Sequence, residues 1–206
     1  MVAIFAKSGK FIYKVDKSFV NTITLHQPSL MSDSLRYPIG TFTAPEQVSE
    51  NERQQYIVEL AQLPQRIAEA VEELSDMQLN TPYRDGGWTV RQVVHHLPDS
   101  HLNAYARFRL ALTEDNPTIR PYREDQWAEL GDAKRARIEP SLQLLTSLHQ
   151  RWVMLLQSLT DEDFARTFVH PQHDATFRLD VALANYAWHG HHHLAHITTL
   201  KERKGW

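Results

Sequence analysis

Apolar positions recur at helical spacing in four stretches of the chain, and between these stretches the pattern breaks at prolines, glycines and polar clusters. From Pro45 to about Leu74, the residues Tyr56, Leu60, Leu63, Ile67 and Val71 fall near one face, and Pro64 predicts a kink or a split in that helix. Thr89-Val90-Arg91-Gln92 carries the threonine and glutamine of a capping box. It predicts the start of a second long helix that reaches about Leu112 and bends at Pro98. Pro140 suits the first turn of a third helix bearing Leu144, Leu148, Trp152, Leu155 and Leu159. The last helix runs from about Asp180 to Arg203, with Gly205 just beyond as a stop.

The connections are sizeable. Thr81 to Trp88 is a turn-rich loop with paired glycines, where Arg84 and Asp85 read as turn partners. A loop through Asn116-Pro117 and Pro121-Tyr122 leads to a short helix around Trp127, and another loop spans about Thr160 to Phe177. The expected fold class is therefore all-α, a four-helix bundle with long connecting loops. Residues 1–44 hold short β-tending pieces such as Phe11-Ile12-Tyr13, and Met31-Ser32-Asp33-Ser34 reads as a second beginning. The expected division is a weakly structured leader over residues 1–35, outside the fold, and one helical domain over 36–206.

At 206 residues with 42% hydrophobic content, the chain is long enough to bury a full core as one domain. A formal charge of -3 offers no basic footprint for nucleic acid. The absence of cysteine removes disulfides, thiolate metal sites and cysteine nucleophiles together, and suits a cytoplasmic location. No apolar run approaches the roughly 20 residues of a membrane span, and residues 1–30 lack the apolar core of a signal peptide.

Chemistry concentrates in Trp188-His189-Gly190-His191-His192-His193-Leu194-Ala195-His196-Ile197, inside the last predicted helix. Side chains four apart on a helix point the same way, so His189 and His193 have metal-ligand spacing. The apolar stripe of this helix passes through Leu183, Tyr186, Gly190, Leu194 and Ile197. By a wheel of about 100° per residue, His193 lies roughly 30° and His189 roughly 70° from its centre. His196 and His192 lie farther round, and Gly190 on the stripe lets a neighbouring helix come close. A second cluster, His95, His96 and His101, supplies a third nitrogen from the second helix. Periodicity there favours His101, close to the stripe centre, over His96, roughly 120° away. The opposite side is apolar too, which leaves room for a helix buried all round with His96, Ser100, Asn103 and Arg107 lining a polar cavity.

Tyr37-Pro38-Ile39-Gly40, the run from Thr81 to His96, and the run from Trp188 to Ile197 together resemble the YfiT-like branch of the DinB superfamily. The likeness extends from about Arg36 to the C-terminus. It implies a DinB-type four-helix bundle, a homodimer, and one divalent metal ion, zinc first and nickel second, held by His96, His189 and His193. Pro98, where the family tends to have alanine, and the leader are departures from its pattern.

An open three-histidine site suits metal-assisted hydrolysis, because a bound cation lowers the pKa of water from about 15.7 to near 7 and polarises a carbonyl. The same cation lowers the pKa of a thiol, and the family includes transferases that use bacillithiol or mycothiol, so thiol transfer is the alternative enzyme reading. A metal-binding protein without turnover is the third. The substrate on either enzyme reading is a small molecule. Asp99, Asn103 and His192 are the candidates to support the ligands or to serve as base, while His101 and His149 read as structural. Trp88, Trp152, Trp188 and Tyr186 read as packing residues. Deletion of residues 1–30 should leave the unfolding midpoint and the metal content unchanged; a large fall in melting temperature would show that the leader packs on the bundle.

Overall fold

The computed structural model of the protein describes residues 34–206, so the leader expected over residues 1–35 falls almost wholly outside the described residues. The described elements run α1 (Glu50–Val71), α2 (Asp76–Leu79), α3 (Val90–Thr113), α4 (Glu124–Trp127), α5 (Gly131–Arg135), α6 (Glu139–Gln157), α7 (Asp161–Ala165), β1 (Thr167–His170), β2 (Ala175–Arg178) and α8 (Leu179–Lys204). The long helices α1, α3, α6 and α8 form the bundle. Each of α1 and α3 packs on both α6 and α8, which sets the four around one interior.

Local chemistry starts and stops these helices. Thr89 and Gln92 cap α3 reciprocally, as the capping-box pattern predicts, and Ser49 and Glu52 are found to do the same for α1. Gly205 closes α8 in the left-handed conformation at φ 68°. Pro64 lies within α1 and Pro98 within α3, and neither splits its helix. The expected loop over 160–177 holds more order than periodicity shows. Thr160 and Asp163 cap the short α7, and β1 and β2 then pair as an antiparallel hairpin with Phe168 opposite Phe177. The all-α four-helix bundle holds, and this small hairpin is the one piece of sheet among the described residues, set in the connection before α8. Four-residue strands, like the four-residue α2 and the five-residue α5, carry too few positions to establish a period.

The core is two apolar clusters stacked along the bundle. Ile57, Leu60, Phe108, Trp152, Leu156 and Leu183 belong to one, and Leu63, Ile67, Val93, Leu97, Leu145 and Ile197 to the other. On three of the four long helices the residues near the junction of these sets include buried or half-buried histidines, namely His101 on α3, His149 on α6, and His189 and His193 on α8. No helix of the described residues is long and apolar enough to cross a membrane.

Helices α1 and α8 meet closely at Gly190. A Cβ placed there would stand 2.4 Å from Leu63 Cδ2 and 3.1 Å from Leu63 Cδ1. Alanine would gain about 1 kcal/mol of helix propensity but overpack a buried leucine at about 1–3 kcal/mol. Gly190→Ala should therefore destabilise the fold by about 1 kcal/mol in denaturant unfolding, and Leu63→Ala should cost less in that background than in the wild type. Additive effects of the two substitutions would show that the helices do not meet there.

Candidate metal centre

His189 and His193 stand one turn apart on α8 with ring centroids 4.5 Å apart, and His96 of α3 meets them at 5.3 and 4.8 Å. One nitrogen from each of the three lies within 4.8 Å of the others, and the Nε2 atoms of His96 and His189 are 3.3 Å apart. Two nitrogens bound to one zinc at about 2.0–2.1 Å and a tetrahedral angle stand about 3.3–3.4 Å apart. The set thus fits a divalent cation in donor chemistry and in spacing.

The rings are neutral. Burial holds His189 and His193 well below the ordinary imidazole pKa, and neighbouring imidazoles add to the effect. Burial, then His192 and His196, brings His96 down to about 3. Neutral imidazoles offer a lone pair, which is the state a metal ligand requires.

Around the three rings opens a cavity of about 780 Å³, lined among others by Trp88, Ser100, Arg107, Tyr122, Tyr186 and His192. Trp88 packs its ring 4.7 Å from His96 and stacks at 6.3 Å over His193. Trp188 stacks on His192 at 4.6 Å. Trp88, Trp188 and Tyr186, expected as packing residues, thus also form cavity wall, while Trp152 is core. Arg107 Nη1 donates to Tyr186 Oη at 3.3 Å inside the cavity. Arg84, expected in a turn, donates to the Asp85 carbonyl at 2.8 Å and also lines the cavity.

His101, which periodicity favours, stands behind His189 rather than beside it: its Nε2 lies 3.1 Å from His189 Nδ1. The apolar stripe misleads because α3 is buried on nearly every side from Val90 to His101, so an apolar face does not mark the direction of the cavity. Asp99 and Asn103 lie off the cavity. Asn103 Nδ2 turns back to the Asp99 carbonyl at 2.8 Å, and the Asp99 carboxyl is raised to about 6 by burial and then by Asp132 of α5. His192 is buried in the cavity wall between Trp188 and His196, its rings 4.6 and 4.3 Å from theirs. His191 faces Glu59 instead, at 3.4 Å.

Three features escape the sequence pattern. His170 and His173 of the hairpin region line the cavity, and so do Arg36, Tyr37 and Phe42, which reach it from before α1. His149, buried in α6, touches His101 through 2.9 Å between Nε2 and Nδ1. The signal for the first two is only that histidine and aromatic residues sit in stretches without periodicity; for His149 it is a polar residue amid the apolar stripe of α6.

Fold and site define a helical-bundle protein with a candidate metal centre built from side chains of facing helices. The family model of the DinB superfamily matches residues 59–197, and the chain belongs to that superfamily. It is 52% identical over 177 residues to the Bacillus subtilis (strain 168) protein named "Putative metal-dependent hydrolase YfiT", covering 86% of this chain and 99% of that one. A Bacillus cereus (strain B4264) protein named in the same way is 54% identical over 174 residues, covering 84% and 99%. The solved structure of Bacillus subtilis YfiT, described as a four-helix bundle of unusual topology, matches with a TM-score of 0.83 at 53% identity, over 84% of this chain and 99% of that one.

Replacing His96, His189 or His193 with alanine should strip metal from the folded protein, whereas His101→Ala, His192→Ala and His196→Ala should each cost less under the same conditions. Loss of metal from His101→Ala with retention in His96→Ala would reverse the assignment. A second test needs no metal. Unfolded histidines titrate near 6.5, while burial lowers folded His96 to about 3 and His149, His192 and His196 to about 4. Between these values the unfolded chain binds more protons, so stability rises with pH. Metal-free protein should lose stability steadily as pH falls from about 6.5 toward 4; a flat urea midpoint across that window would show the rings already protonated in the fold.

Proposed function

We propose that the protein is a metal-dependent hydrolase in which His96, His189 and His193 would hold one divalent cation, zinc before nickel, at the wall of the cavity. The observation that carries this reading is the convergence of three neutral imidazole nitrogens within 4.8 Å on the wall of a cavity of small-molecule size. Imidazole suits zinc and nickel alike, and three protein ligands are the usual number at a catalytic zinc. A bound cation supplies a water of pKa near 7 and polarises a carbonyl. The residues of the chain hold the substrate against it. Trp88 and Trp188 give apolar walls, and Arg107, Tyr122 and Tyr186 give hydrogen-bonding groups in the same cavity. The names of the Bacillus relatives support the same class of reaction.

Metal analysis of untagged protein should find about one zinc or nickel per chain. A panel of esters and amides should then be hydrolysed without added thiol. Strict dependence on a low-molecular-weight thiol would move the reaction to thiol transfer, and bound metal with silence in both assays would leave a non-catalytic metal-binding protein. The ligands come from α3 and α8, so a cation that binds only the assembled pair adds about 2.7 kcal/mol of stability at a hundredfold excess over Kd. Chelation should lower the unfolding midpoint accordingly; an unchanged midpoint after verified metal removal would contradict a site formed across the bundle.

A further inference from the structure

Two hydrogen-bonded chains of imidazoles reach the candidate ligands from behind, and each ends on a main-chain carbonyl. In the longer chain His149 Nδ1 lies 2.6 Å from the Leu60 carbonyl oxygen, His149 Nε2 lies 2.9 Å from His101 Nδ1, and His101 Nε2 lies 3.1 Å from His189 Nδ1. In the shorter one His196 Nε2 lies 3.0 Å from the Arg36 carbonyl oxygen, and His196 Nδ1 lies 3.3 Å from His193 Nδ1.

The direction of both chains follows from their ends. A carbonyl oxygen only accepts, and a neutral imidazole has one N–H and one lone pair. Leu60 therefore draws the His149 proton to Nδ1, which makes His149 Nε2 an acceptor and places the His101 proton on Nδ1. His101 Nε2 in turn accepts from His189 Nδ1–H. The lone pair of His189 is left on Nε2, the atom that stands 3.3 Å from His96 Nε2. Arg36 acts likewise on the other ligand: His196 donates from Nε2, accepts at Nδ1 from His193 Nδ1–H, and leaves the His193 lone pair on Nε2.

The Leu60 carbonyl has a reason to be available. Within a helix it would accept from the N–H four residues on, and that residue is Pro64, which has none. The missing helical donor is replaced by a ring from α6. Pro64 does not split α1, and the bond it removes is the one that the longer chain uses.

We propose that His101, His149 and His196 are positioning residues that fix the tautomers of His189 and His193, so that both rings present an Nε2 lone pair before any cation arrives, and that Pro64 belongs to the same device by releasing the carbonyl that starts the longer chain. The purpose assigned to the device rests on the metal reading above; the tautomers themselves do not.

Nitrogen-15 NMR of histidine-labelled, metal-free, full-length protein reads the tautomers directly. The expected protons are on Nδ1 of His149, His101, His189 and His193 and on Nε2 of His196. An Nε2–H on His189 or His193 overturns the proposal whatever the protein does with metal. Calorimetric titration with Zn²⁺ supplies the second readout. His101→Phe and His196→Phe keep a ring in place and remove the bond to the ligand, and each should weaken Zn²⁺ binding about 10- to 100-fold. His149→Phe should turn His101 and His189 into tautomer mixtures, while His149→Gln, with an amide N–H for Leu60 and an oxygen for His101, should restore the single Nδ1–H form. A lowered melting temperature with wild-type Zn²⁺ affinity in both ligand-side variants would reduce these rings to core packing and overturn the proposal. Should the phenylalanine variants fail to fold, the wild-type and His149→Gln spectra decide. A wild-type protein that binds neither Zn²⁺ nor Ni²⁺ would sink the metal reading, and the spectrum would still decide on the tautomers.

Discussion

Burying imidazoles between two apolar clusters is the constraint on which the rest of this structure depends. His96, His101, His149, His192, His193 and His196 are all buried, and each ring brings two nitrogens into an interior that offers little water. An unpartnered polar atom there costs about 1–3 kcal/mol, so the layer is tolerable only if its nitrogens find one another, the backbone, or a cation. Most of the partners are in place. His101 is wholly enclosed and bonded at both nitrogens, and so is His149. His192 Nδ1 is the buried ring nitrogen of this layer without a protein partner. The Nε2 atoms of His96 and His189 face each other at 3.3 Å, the separation that two nitrogens sharing one cation would take.

The same layer ties the site to the fold. Ligand side chains come from α3 and α8, and the rings and carbonyl behind them come from α6 and α1, so all four long helices meet at one level of the bundle. Trp152 wedges against this level with its ring 5.9 Å from His101 and 6.0 Å from His149, both edge-on, and joins the polar layer to the apolar cluster beyond. Leu63 seated on Gly190 does the corresponding task between α1 and α8. A shift of any one helix would strain hydrogen bonds as well as packing.

Much of this was legible in the residues. The four long helices were, because each repeats its apolar period over several turns and three of their ends carry a capping box or a C-terminal glycine. The pairing of His189 with His193 followed from their spacing alone. The partner on α3 did not. Helical periodicity finds the apolar direction, and α3 is apolar or buried in every direction near its start, so only the resemblance of the Thr81–His96 run chose His96 over His101. The hairpin was hidden by its four-residue strands, and the cavity wall at Arg36, Tyr37 and Phe42 by having no period at all. Pro64 was legible as a disturbance in α1 but not as a free carbonyl, because the ring that takes up that carbonyl lies 89 positions away in the chain.

The division of labour between helices and connections follows from the rigidity that each offers. Coordination demands side chains held to fractions of an ångström, and here they stand on the interiors of long helices whose neighbours fix them from behind. The rest of the cavity is walled by connections, namely the hairpin region at His170 and His173, the turn at Arg84 and Gly87, and the segment at Arg36 to Phe42. One contact crosses this division. The Arg36 carbonyl belongs to the wall built from connections, yet it is the group that orients His196 and, through it, His193. A substrate that moved this segment on binding would therefore act on a ligand of the centre as well as on the shape of the pocket, through a single hydrogen bond of 3.0 Å.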